Sequence, residues 1–165
     1  MRTRKAISGL LALGLSLGAA SAQAQSGTIT ASAVVLSAIT VAGTNNLLFG
    51  NVTPGVNKTV AITDAGAGLY TVTKAANQGL TLSFTLPANL TSGANNLPIG
   101  TWTGGWNTAA NPATATAFTP SAAGVNTAVT AGVQTFVYVG ATVSPAAAQV
   151  AGTYTGNVTM QAAYF

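Results

Sequence analysis

Leu80-Thr81-Leu82-Ser83-Phe84-Thr85-Leu86 carries an apolar side chain at every second position, with Thr81, Ser83 and Thr85 between them. Side chains of an extended chain alternate between faces, so this run presents one face to a core and the other to water, as a half-buried antiparallel strand does. A helix does not fit, because its apolar stripe recurs at three and four residues rather than two.

The same character continues on both sides of this run. Short stretches rich in Val, Thr and aromatic residues predict strands over 28–41, 47–52, 58–63, 69–74, 80–86, 99–106, 114–118, 133–143 and 154–164. Between them lie turn-forming clusters such as Thr53-Pro54-Gly55, Asn77-Gln78-Gly79 and Ser92-Gly93-Ala94-Asn95-Asn96. Many short strands with no helical stripe imply an all-β antiparallel sandwich or barrel. The last predicted strand puts Tyr154, Val158, Met160, Ala162 and Tyr164 on one face, with Gly156 among them as a bulge or a close approach of another backbone. Phe165 is out of phase with that apolar set, which argues against an outer-membrane barrel, whose last strand ends on an aromatic in phase.

The chain opens on Arg2, Arg4 and Lys5, followed by an apolar run through Ala20 and the small-residue pattern Ala20-Ser21-Ala22-Gln23-Ala24. This order predicts a signal peptide over 1–24, with cleavage after Ala24 or, alternatively, after Ala22. A membrane anchor is the competing reading, disfavoured because Ser and Gly interrupt the run and a cleavage pattern ends it. The expected mature chain, 25–165, is one domain in size, exported to the periplasm, cell surface or extracellular space, with no transmembrane segment.

Three of the five basic residues leave with the signal, so the remainder holds only Lys58, Lys74 and Asp64. That balance gives no basic patch for nucleic acid. A surface so poor in charge lowers the barrier to self-association, since net charge is what keeps copies of a protein apart. Cysteine and histidine are absent, and Asp64 is the one carboxylate side chain of the whole chain. Hydrolytic triads, paired-carboxylate sites and metal clusters all need residues this chain lacks, so no catalytic, cofactor-binding or metal-binding residue is expected and the chain reads as non-enzymatic. Asp64, ahead of Ala65-Gly66-Ala67-Gly68, reads as a turn stabiliser rather than a calcium ligand. Trp102 and Trp106 fall on one face of their strand, either as an aromatic platform for a glycan or partner or, more simply, as core anchors.

Three stretches carry a resemblance. Leu47-Leu48-Phe49-Gly50-Asn51-Val52, the run from Tyr70-Thr71-Val72-Thr73 through Gly79 to Pro87, and Ala151-Gly152-Thr153-Tyr154-Thr155-Gly156-Asn157-Val158-Thr159-Met160 resemble small secreted bacterial proteins catalogued as domain of unknown function 4402. That family is similar to the spore coat U domains of archaic chaperone-usher pili. Lys74, where the pattern has Gly, and the longer Trp-bearing stretch 102–123 depart from it. The resemblance implies an immunoglobulin-like β-sandwich. For the pilin relatives it also implies fibres in which one subunit's N-terminal strand completes the next subunit's sheet, with a periplasmic chaperone and usher as partners.

The segment 28–36 suits such a donor: it lacks charge and Pro and places Ile29, Ala31, Ala33 and Val35 on one face. Equally, it reads as an ordinary first strand of its own sandwich. Two functions follow as expectations, a structural subunit of a surface fibre, pilus or coat, and a monomeric adhesin or glycan-binding module.

Overall fold

The computed structural model describes residues 25–165, and the expected signal peptide lies outside them. Residues 35–165 form one compact unit, while the described stretch 25–34 has no regular secondary structure. The elements are β1 (Thr40–Asn45), β2 (Lys58–Val60), β3 (Gly68–Thr73), β4 (Leu80–Thr85), β5 (Asn89–Ser92), β6 (Asn95–Asn107), β7 (Thr116–Phe118), β8 (Val125–Asn126), β9 (Gln134–Val143) and β10 (Thr159–Tyr164), with one 3-10 turn at Pro112–Thr114.

Every strand pair is antiparallel. The larger sheet runs β1-β3-β9-β6-β5, with β2 on the end of β9 that β3 leaves free and β7 beside the end of β6. A smaller sheet, β10-β4-β8, faces it. The expected all-β sandwich is the fold, and β4 reproduces the alternation of its sequence: Leu80, Leu82 and Phe84 are buried, and Thr81, Ser83 and Thr85 are not.

Those three side chains meet Val72 of β3, Val137 and Val139 of β9 and Met160 of β10 in the main core. Phe84 and Phe118 tie the two sheets together, their ring centroids 5.7 Å apart. A second apolar cluster, Leu97, Ile99, Ala141 and Val143, lies toward the other end of β6 and β9.

A bulge in β6 joins the two clusters. Gly100 pairs Thr142 and Thr103 pairs Gly140, so Thr101 and Trp102 together oppose Ala141. The extra residue reverses the alternation. Leu97 and Ile99 point inward before it, Trp102 and Trp106 after it, and Trp102 packs against both clusters. Thr101 takes the left-handed conformation at φ 48°, costly for a β-branched residue.

Three predicted strands differ from what forms. Of 28–41, only Thr40 and Val41 enter a strand, and Ile29, Ala31, Ala33 and Val35 are exposed. The run 47–52 joins no sheet and turns at Gly50, which takes φ 62°, and the last strand begins at Thr159 rather than 154. Alternation in a sequence fixes which face a side chain takes, whereas a ladder needs a neighbouring strand, and at these places the described residues supply at most the single bridge from Thr155 to Thr91. The segment 28–36 forms no strand among the described residues. β5 and β8, short and polar, were not legible in the sequence.

Candidate functional site

The smaller sheet covers the main core and stops short of the second cluster. Above that cluster, the segment 46–54, leaving β1, faces the segment 149–158, entering β10, across a cleft of about 800 Å³ floored by Leu97, Ile99 and Val143. A narrower cleft of about 210 Å³ continues the seam between 43–47 and 156–158, sharing Asn46, Leu47, Gly156 and Val158 with the larger one. Since 43–47 lies opposite 156–158 and Gly55, just past the first wall, donates its N–H to the carbonyl of Ala146, just before the second, the two walls run antiparallel across an open gap.

Each wall has a stretch with the alternation of a strand, 47–49 in one and 154–158 in the other. Leu47 and Phe49 are half-buried against the second cluster while Leu48 between them is exposed. Leu48 donates its backbone N–H to the Gly66 carbonyl at 2.8 Å, away from the seam. Successive backbone groups of an extended chain point to opposite sides, so those of Leu47 and Phe49 are directed across the gap. They have no backbone partner among the described residues.

The opposite wall repeats the pattern. Thr155 exchanges both backbone bonds with Thr91 of β5, at 2.8 and 3.0 Å, which turns the groups of Tyr154 and Gly156 toward the gap, again without backbone partners. The room at Gly156 is needed by a side chain rather than by another backbone: a Cβ there would stand 2.8 Å from Leu90 Cδ2 and 3.5 Å from the nearest backbone atom, the Asn89 carbonyl oxygen.

Side chains hold the walls in place. Lys58 Nζ donates to the Asn51 carbonyl at 2.9 Å, and the Tyr70 hydroxyl to that of Val158 at 2.6 Å. Burial pushes the Tyr70 phenol above its ordinary value, as it does that of Tyr138. Gln149 Nε2 donates to the Asn96 carbonyl at 3.0 Å and to the Tyr154 hydroxyl at 2.7 Å, and that hydroxyl donates to the Val150 carbonyl.

The remaining singled-out residues lie apart from the seam or beneath it. Trp102 and Trp106 are half-buried against the core. Asp64 Oδ2 accepts the Ala61 N–H at 2.8 Å, closing its own turn. No cluster of three metal-ligating side chains occurs among the described residues, and no helix among them is long and apolar enough to cross a membrane. Lys74, 2 % exposed, gives its three ammonium protons to the carbonyls of Gly132, Thr130 and Ala75 at 2.9, 3.2 and 3.3 Å.

The seam itself is not legible in the sequence, although 47–52 and 154–158 carry a strand pattern. Its signal was their β pattern, and nothing in a linear pattern distinguishes a paired strand from one awaiting a partner. No family model matches this chain, and no match was found among curated proteins or solved structures.

Proposed function

We propose that this protein is a non-enzymatic, exported structural subunit of a surface fibre or coat, assembled by insertion of an extended segment of one copy into the seam of the next. The observation that carries this reading is the pair of antiparallel walls whose inward backbone groups lack partners above an apolar floor. A small ligand could cover the floor. An extended peptide would also satisfy the backbone groups on both sides, placing alternate side chains in the cleft, and that is the chemistry of strand addition.

The segment 28–36 is the natural occupant. It is exposed and unpaired, with Ile29, Ala31, Ala33 and Val35 on one face. Three residues, 37–39, separate it from β1. Folding back within its own chain would lay it along β1 and bring only its first residues level with Asn46, leaving 49–54 unfilled. A second copy has no such constraint. A periplasmic chaperone, as the pilin resemblance implies, would shield the seam before assembly.

Light scattering of 25–165 beside a form beginning at Ser37 tests the proposal. Oligomers that disappear on truncation, with the added 28–36 peptide binding the shortened form, support it. A folded monomer from 25–165 contradicts it and favours the binding-module reading.

A further inference from the structure

The stretch 149–154 is attached to the rest of the sandwich in an unusual way. Gln149 donates its backbone N–H to the Ala146 carbonyl, and beyond it the backbone of 150–154 makes no bond to other backbone among the described residues until Thr155 reaches Thr91. What holds this strap is a side-chain knot. Gln149 Nε2 bridges the Asn96 carbonyl of β6 and the Tyr154 hydroxyl, and that hydroxyl returns to the Val150 carbonyl at 2.7 Å. The Tyr154 ring meanwhile packs against the second apolar cluster, partly covering the floor of the cleft it lines.

We infer that the strap 149–154 is a built-in cover for the seam, latched by Tyr154 and Gln149, which closes over the apolar floor in the unfilled subunit and gives way when a strand enters. The inference rests on the strand-acceptor reading and adds its regulation. A segment anchored by a few side-chain hydrogen bonds and one ring, with no ladder, opens at far lower cost than the strands beneath it. Tyr154 therefore covers apolar surface that the second copy's segment would otherwise find bare. An entering strand replaces the ring's contact with the floor and gives the Tyr154 and Gly156 backbone groups the partners they lack. The cover slows capture of other apolar chains without creating a stable alternative to assembly.

The chain from residue 25, carrying Ile29→Asp and Val35→Asp to disable its own segment, is compared with the same chain bearing Tyr154→Phe or Gln149→Ala. Tyr154→Phe keeps the ring and removes the latch. Amide exchange at Gln149 and Thr155, the hydrogen-bonded amides that bound the strap, should quicken by about five- to tenfold, as the loss of an ordinary hydrogen bond implies, with β9 unchanged. Uptake of a 28–36 peptide should accelerate by a similar factor, and Gln149→Ala should act in the same direction. Unchanged exchange at Gln149 and Thr155 in both variants overturns the latch. Faster exchange with peptide uptake at an unaltered rate overturns the cover alone. Faster exchange with no peptide binding to any form overturns the strand-acceptor reading and the cover with it.

Discussion

Lys74 is the most consequential single residue of the core. Its ammonium sits among three backbone carbonyls, two of them in the loop between β8 and β9, and so fastens that loop to the end of β3. A buried charge is tolerated when its donors are satisfied, and removing it leaves desolvated carbonyls without a partner. Lys74→Met should lower unfolding stability by about 3 kcal/mol in denaturant titration, the loss concentrated in the charge-assisted hydrogen bonds. Nothing in the sequence foretold this role, because a lysine among turn residues reads as solvated; its burial depends on a loop more than fifty positions away. Thr101 shows the opposite case, a local strain at a bulge. Glycine accepts φ 48° without a Cβ penalty, so Thr101→Gly should raise stability by about 0.5–1 kcal/mol by thermal melt, while Trp102 keeps its place.

Among the elements, β4 and β9 were legible because both faces of each strand are decided by their own side chains: Leu80, Leu82 and Phe84 in one, Val137, Val139, Ala141 and Val143 in the other. The shared face of Trp102 and Trp106 was legible too, since they are four positions apart and the ladder is regular from Thr103 to Trp106. The bulge itself was not, for it exists only in the register of β6 against β9. Nor was the seam, because 47–52 and 154–158 carry the pattern of strands whose neighbour this copy does not place beside them. The bond from Tyr70 to Val158 anchors the second wall where it enters β10. Tyr70→Phe should cost about 1 kcal/mol in stability and loosen amide exchange at Val158 and Thr159 more than at β9.

For the whole molecule, the sparse charge makes folding nearly indifferent to pH across the neutral range. Residues 25–165 contain no His, Glu or Cys, so no side chain with an ordinary pKa between about 5 and 9 is available to titrate. The alkaline side differs. Burial raises the phenols of Tyr70 and Tyr138 above 10.0, so the folded chain keeps protons that the unfolded chain releases. Their contribution is fully present below pH 10.0 and is lost as pH rises through the folded values, so urea midpoints should be level from pH 5 to 9 and fall above about 10.

The same lack of charge bears on assembly. Little electrostatic repulsion would oppose the approach of two copies, and the proposed association through main-chain bonds and apolar side chains should vary little with salt. The most direct test of the seam as a strand acceptor is amide exchange of the form beginning at Ser37, with and without the 28–36 peptide. Strand insertion predicts new protection at Leu47, Phe49, Tyr154 and Gly156, the residues whose backbone groups face the gap. Peptide binding that leaves those four amides unprotected, or no binding at all, would contradict it.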